Sequence, residues 1–318
     1  MGRLLTVTPN PAIDVTYRVD SQLIGETIRV QAHTRRVGGK GINVARVLSA
    51  LGWSADVIAP MDSAAADAAR VELRTEKIEL HATPLFNPTR HTVTVVDGLN
   101  HPTLFSEPGP VYDPSAWGAL CHQIRTLAGD DDWVAVAGSF PPETPPNAVR
   151  DLVGAARSRG AKVLVDTSGA HLIAAVGARA DVVKANAGEV REATGMENLH
   201  DAAARLGAND AVVVISLGSD GAILRESDGS WRRQSAYLGV AGNPTGAGDA
   251  FTAGLLAAFT SKRSLSTALT WGALAGAAAV AHPLAGAIDP RMLIHLAAQA
   301  EADARGLINP SNDNLELL

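Results

Sequence analysis

The sequence predicts an α/β protein in which a mostly parallel central sheet, with helices on both faces, carries a small antiparallel β-lid. Three observations predict it. Short apolar-rich runs recur at residues 134–137, 163–166, 181–184 and 212–216. Between them, up to about residue 280, lie stretches of helical pattern. That rhythm belongs to a parallel sheet whose strands are buried on both sides. Near the N-terminus, by contrast, polar and apolar residues alternate along the strands, as suits a flap with one wet face.

Taken in order, residues 4–8 form a buried strand that stops at Pro9-Asn10-Pro11. Residues 12–18 and 27–36 read as extended, with Thr27-Ile28-Arg29-Val30 the clearest alternation. After Val37-Gly38-Gly39-Lys40-Gly41, an apolar helical run over 42–51 is closed by Gly52. Residues 92–96 form a second alternating strand, with Asp97-Gly98 as its turn. Residues 147–159 read as a helix ended by Gly160, and 249–260 and 265–281 as two more. No linker or repeat divides the chain, so 1–318 is expected to form a single domain. Its lid strands should come from about 12–36 and 90–107.

The composition excludes several classes. Lys plus Arg number 27 and Asp plus Glu 33, a net charge of −6, with 46% hydrophobic residues. A disordered chain would combine few apolar residues with high net charge. The mildly acidic pI of about 5.8 gives no electrostatic footprint for nucleic acid. The single cysteine, Cys121, cannot build a disulfide scaffold or a thiolate zinc site, and it fits a reducing compartment. Residues 1–7 are too short an apolar run for a signal peptide. The apolar stretch 272–287 contains His282 and Pro283, so it reads as a buried helix and loop rather than a membrane span. The expectation is a soluble cytoplasmic protein with no nucleic-acid or membrane partner. No H-E-x-x-H or G-x-S-x-G motif appears.

Five stretches carry chemistry. In Asn243-Pro244-Thr245-Gly246-Ala247-Gly248-Asp249, a Gly-X-Gly turn feeds a helix and aims backbone N–H groups at one point. Such a nest holds a phosphate or a developing negative charge. Asp249 beside it is either an N-cap or a base. Gly38-Gly39-Lys40-Gly41-Ile42-Asn43 lets a ligand approach the backbone and adds a cation, Lys40, and an amide, Asn43. Its spacing is not that of a Walker A loop. Asp14, past the Pro-X-Pro turn, is a hydroxyl acceptor or a solvated loop acid. Asn186 and Glu189, at i and i+3, form a capping box or hold Mg²⁺ through waters. Ser216-Leu217-Gly218-Ser219-Asp220-Gly221 follows a strand, as a ligand loop or as a β-turn.

In order and spacing, Thr8-Pro9-Asn10-Pro11-Ala12-Ile13-Asp14, the Gly38–Ala45 segment and the Asn243–Gly254 segment resemble the PfkB-type sugar kinases of the ribokinase-like superfamily. The resemblance covers nearly the whole chain. Within that family the Pro-Asn-Pro-Ala-X-Asp opening and Lys40 are most similar to the 1-phosphofructokinase and tagatose-6-phosphate kinase branch. The resemblance implies a ribokinase-like three-layer α/β/α fold and an ATP-dependent kinase. It implies Asp249 as base and Gly246, Ala247 and Gly248 as the anion hole. Asp14, Gly39, Lys40, Asn43, Arg90 and Ser139 would hold the sugar, with Arg90 on its phosphate. Lys184, Asn186 and Glu189 would serve ATP and Mg²⁺, Glu189 acting through water. Ser216, Gly218 and Gly221 would flank the nucleotide. The lid would exclude water and pair with a second copy in a homodimer.

The chain also departs from that pattern. Thr92 and Thr94 stand where the branch usually has Asn and Lys, and Ser106 where Asn is common. Ala185 replaces a Pro, and Glu143 follows the prolines where Gly is usual. A lost charge-assisted hydrogen bond is worth about 1.5–3 kcal/mol. Fructose 1-phosphate, phosphorylated at O6, is the leading acceptor. Tagatose 6-phosphate, fructose 6-phosphate, and an unphosphorylated sugar or nucleoside are the alternatives. A non-catalytic sugar or nucleotide sensor on the same fold is the reading from a different class, and the retained Asp249 argues against it. A dinucleotide oxidoreductase would need a Gly-rich turn after the first strand, where Thr8-Pro9-Asn10-Pro11 stands.

Overall fold

The computed structural model describes residues 2–97, 102–237, 239–240, 242–282, 286–299 and 302–308. Gly98 of the expected turn, the loop at Pro283 and residues 309–318 lie outside them. In chain order the strands are β1 (Leu4–Val7), β2 (Ala12–Arg18), β3 (Ala32–Gly38), β4 (Ala55–Met61), β5 (Glu79–Pro84), β6 (Arg90–Val96), β7 (Thr103–Ser106), β8 (Trp133–Ala137), β9 (Lys162–Asp166), β10 (Val182–Asn186), β11 (Val212–Ser216), β12 (Ala222–Arg225) and β13 (Trp231–Gln234). The helices are α1 (Lys40–Ala50), α2 (Ser63–Thr75), α3 (Pro114–Leu127), α4 (Asn147–Arg157), α5 (Gly169–Gly177), α6 (Ala187–Thr194), α7 (Leu199–Leu206), α8 (Ala247–Thr260), α9 (Leu265–Val280) and α10 (Pro290–Gln299).

Among the described residues the large sheet has the order β13-β12-β11-β10-β9-β8-β1-β4-β5. From β11 to β5 every neighbouring pair is parallel; β12 and β13 add an antiparallel edge. The parallel strands are apolar on both faces because both are covered. On β1, Leu4 joins the core beneath α1, α8 and α9, while Leu5 and Val7 join the core beneath α3 to α7. Trp133 and Ala135 of β8 face the first core, and Val134 and Val136 the second. This period of two divides the body into its three layers.

α8 is buried all round, from Asp249 to Thr260. It packs closely on α9 because Gly254 and Gly272 lack side chains. A Cβ at Gly254 would stand 2.4 Å from the Trp271 carbonyl oxygen. This close pairing aims the N-terminus of α8 at the carboxyl ends of the parallel strands, where open α/β sheets bind ligands.

The lid is a second sheet, β3-β2-β6-β7. Its outer pairs are antiparallel, and the central pair, β2 with β6, runs parallel. The strand expected at 27–36 begins only at Ala32, so Thr27-Ile28-Arg29-Val30 precedes it as exposed, non-strand chain. Alternation there has no neighbouring ladder to complete it. The helix expected at 42–51 starts two residues earlier, at Lys40, and ends at Ala50.

Candidate active site

The first turn of α8 is opened by Gly246 at φ 85°, a left-handed conformation that favours glycine. The N–H of Ala247 is spent on the Pro244 carbonyl at 3.1 Å. Those of Gly248 and Asp249 have no intrahelical acceptor and point out of the helix end. Asp249 is the third helical residue, so the N-cap reading does not hold; Gly246 is the N-cap. The Asp249 carboxylate turns instead toward α1, where Asn43 Nδ2 donates to its Oδ2 at 2.9 Å. Burial pushes this carboxyl up to about 6, against the pull of Lys40 and the Asn43 hydrogen bond.

Beneath the nest lies a charge network that sequence reasoning missed at its centre. Asp166, at the end of β9, is fully buried. Its Oδ1 accepts from Lys40 Nζ at 3.0 Å. Its Oδ2 accepts from Lys184 Nζ at 2.9 Å and from Thr252 Oγ1 at 2.7 Å. Lys184 and Asp166 are cross-strand partners on β10 and β9, which puts both side chains on one face of the sheet. Lys184 Nζ also donates to the Gly248 carbonyl at 3.3 Å. Burial alone would raise the Asp166 carboxyl, but Lys184 and Lys40 hold it well below the usual range. Burial works against the Lys40 charge too, yet Asp166, Glu189 and Asp249 hold its ammonium above the usual range. Two cations are thereby fixed beside the helix end. The one signal for Asp166 in the sequence was an acid at the end of a buried strand.

Asn186 and Glu189 form a true capping box on α6: Asn186 Oδ1 accepts from the Glu189 N–H at 2.9 Å, and Glu189 Oε2 from the Asn186 N–H at 2.8 Å. The capping reading therefore holds, and it leaves Glu189 Oε1 at 3.8 Å from Lys40 Nζ, on the rim of the same network. Ser216 sits opposite Asn186 in the β10–β11 register. Gly218 opens and Gly221 follows a 3₁₀ turn joining β11 to antiparallel β12, so the turn reading holds here as well. A Cβ at Gly221 would collide with the Gln234 carbonyl, a packing reason for that glycine. A Cβ at Gly218 would meet nothing within 4 Å.

The remaining residues gather under the lid. Asp14 on β2 lies against the glycine loop, where a Cβ at Gly38 would stand 1.9 Å from Asp14 Oδ2. Burial raises the Asp14 carboxyl to about 6, although Arg46, Arg90 and Arg36 all pull it down. Gly39, at φ 115°, packs on Thr8. Arg90 opens β6 and reaches the Asn10 carbonyl and the Glu107 carbonyl, the latter at 2.8 Å. Ser139 follows β8 and takes a hydrogen bond from Asn10 Nδ2 at 3.3 Å. Thr92 and Ser106 share the Asp14 row of the lid. A separate cavity of about 520 Å³ lies between residues 234–237 and the first turns of α9, and it holds none of the expected residues.

Free helix-end N–H groups, a buried carboxylate and two fixed cations are a set of groups that can act on a phosphate, and the comparisons with known proteins give the class of protein. The model of the pfkB family of carbohydrate kinases matches residues 8–291. The chain belongs to that family. This pfkB kinase is 34% identical to a 1-phosphofructokinase of Rhodobacter capsulatus over 292 residues, covering 86% of this chain and 90% of the relative. It is 29% identical to an ATP-dependent 6-phosphofructokinase isozyme 2 of Mycobacterium tuberculosis, covering 88% and 85%. In fold it superposes on the phosphofructokinase-2 of Escherichia coli solved with potassium, with a TM-score of 0.88 at 24% identity, over 95% of this chain and 100% of that one. The ribokinase-like α/β fold with a small second sheet is thus established, and so is the carbohydrate kinase class.

Proposed function

We propose that this kinase transfers the γ-phosphoryl group of ATP to O6 of fructose 1-phosphate, giving fructose 1,6-bisphosphate and ADP. The observation that carries the reading is the buried Asp249 carboxylate, held by Asn43 beside the open helix end of α8. Asp249 takes the proton of the attacking hydroxyl. The oxygen's lone pair forms the new bond to the γ-phosphorus as the bond to the bridging oxygen of ADP breaks. The Gly248 and Asp249 N–H groups, with Lys40 and Lys184, face the charge that spreads over the transferring group. Asp166 touches neither reactant; it fixes both lysines. Glu189, with Asn186 alongside, would hold Mg²⁺ through waters, and the ion would supply charge neutralisation on the phosphates. The carboxylate there is part-exposed, which suits a hydrated ion. Ser216 and Gly218 border the nucleotide; Gly221 keeps their turn in shape.

Asp14, Gly39, Asn43 and Ser139 hold the sugar, and Arg90 takes its phosphate. The name of the 34% identical relative supports fructose 1-phosphate. Thr92, Thr94 and Ser106 favour a second reading, an unphosphorylated acceptor, because they bring no charge to the lid's inner row. Consumption of ATP and a buried free cysteine, Cys121, fit a cytoplasmic enzyme. The test is ADP release with Mg-ATP across fructose 1-phosphate, fructose 6-phosphate, tagatose 6-phosphate and the free sugars. Highest kcat/KM with fructose 1-phosphate is expected. Turnover confined to free sugars would replace the proposal with the second reading.

A further inference from the structure

Asn10 lies in the turn after β1, is almost fully buried, and makes more contacts to the sugar side of the site than any role assigned above requires. Its main-chain oxygen accepts from Arg90 twice, from Nε at 3.3 Å and Nη2 at 3.2 Å. Its side-chain Nδ2 donates to the Pro108 carbonyl at 3.0 Å and to Ser139 Oγ at 3.3 Å. Arg90 Nη1 meanwhile holds the same segment from the other side, through Ser106 Oγ at 3.1 Å and the Glu107 carbonyl at 2.8 Å. Gly109 threads between the two residues: at φ 92°, its Cβ would stand 2.4 Å from Asn10 Oδ1 and 3.3 Å from Arg90 Cδ.

Asn10 Oδ1 is buried with no hydrogen-bond partner among the described residues. An unsatisfied buried acceptor is unfavourable, and an apolar side chain of similar size would avoid it. Asn supplies what an apolar residue cannot, two N–H donors on one rigid amide. Both are spent, on the Pro108 carbonyl of the segment that Arg90 also holds and on Ser139 at the sugar side.

We infer that Asn10 is a positioning residue that joins Arg90, the Pro108–Gly109 segment and Ser139 into one rigid wall, and that preference for a phosphorylated acceptor depends on it. This rests on the proposed sugar-phosphate reading. A guanidinium selects a phosphate only if its direction is fixed, and Arg90 is fixed through the Asn10 turn and the 106–109 segment.

The test is steady-state kinetics of Asn10→Ala with fructose 1-phosphate and with free fructose, beside hydrogen exchange of the amides of residues 103–110 in the free enzyme. Expected are a rise of about tenfold in KM for fructose 1-phosphate, the worth of one hydrogen bond, with kcat nearly kept, little change with free fructose, and faster exchange over 103–110. Equal losses with both acceptors, or unchanged exchange, would overturn the inference. Asn10→Ser, smaller yet still polar, takes the same measurements if the Ala variant does not fold. Should the wild-type enzyme show no preference for phosphorylated sugars, the substrate reading fails. The exchange measurement, which needs no substrate, still decides whether Asn10 holds the wall.

Discussion

Asp249 is asked to be ionised in a place that resists ionisation. Burial raises its pKa to about 6 from 3.8, while Lys40 and Asn43 limit the rise. A base must be deprotonated to act, so turnover should fall as pH drops through about 6. Replacing Lys40 with Met removes the cation that favours the carboxylate. The acid limb of kcat should then move to higher pH, and an unmoved limb would separate Lys40 from the base. The same shift bears on stability. Between pH 3.8 and about 6 the folded protein holds a proton that the unfolded chain has released, so this group's contribution declines as pH rises through that window. At pH 7 it costs on the order of 3 kcal/mol. Asp249→Asn should therefore lose turnover by a factor of about 10³ with KM little changed, and melt several degrees higher at pH 7. Lower thermal stability with preserved turnover would reverse the assignment. Asp249, Lys40 and Asn43 were legible in the sequence because glycines mark the loops that carry them. Asp166 and Asn10 were not, because Lys40 and Ser139, which their side chains reach, lie 126 and 129 residues away and only the fold joins them.

The elements themselves were legible where one period dominates. β8 to β11 read clearly because strands buried on both faces are apolar along most of their length. α2 carried no such signal: it buries only Ala65, Ala66, Ala69 and Leu73, a narrow stripe of mostly small residues. β12 and β13 form a short edge where Arg232 and Arg233 face solvent. At the lid hinge, the end of β3 is tied to α1 and α2 by charge as well as by the buried Val37 side chain. Buried Arg46 donates to the Val37 carbonyl at 2.5 Å and pairs with Glu72 and Glu76. Glu72 Oε2 accepts from the Val37 N–H at 3.0 Å, and Arg36 approaches both acids. One residue beyond Val37 begins the glycine loop against Asp14. Arg46→Met should unseat this hinge and cost about 2 kcal/mol. That is less than the 3–5 kcal/mol of a fully buried broken pair, because the two acids are near one-third exposed. The variant should also weaken sugar binding, since it removes a cation that favours ionised Asp14. Denaturant melts and the KM for the acceptor measure the two effects, and a variant as stable as the parent would remove the hinge role.

At the scale of the whole molecule, the body is closed by its helices while the lid is left open. In the order β3-β2-β6-β7 the two outer strands are unpaired edges among the described residues. β3 guards its edge with Arg35 and Arg36. β7 has no charged residue, and its Leu104 and Phe105 are each 59% exposed. The chain between β2 and β3 adds Leu23, Ile24, Ile28 and Val30, all exposed. An apolar, unguarded edge of this kind is a liability in a free monomer and a natural seat for a second lid. The expected species is therefore a homodimer joined lid to lid. Sedimentation of the full chain at micromolar concentration should give twice the 32.9 kDa chain mass. Ile24→Glu with Phe105→Glu should halve it while leaving the body folded, because neither side chain belongs to either core. The monomer should keep its Asp249 chemistry but bind acceptor more weakly, since an unsupported lid closes less firmly over the sugar. A parent chain that sediments as a monomer would overturn the dimer. A double variant that remains dimeric would move the interface away from the lid.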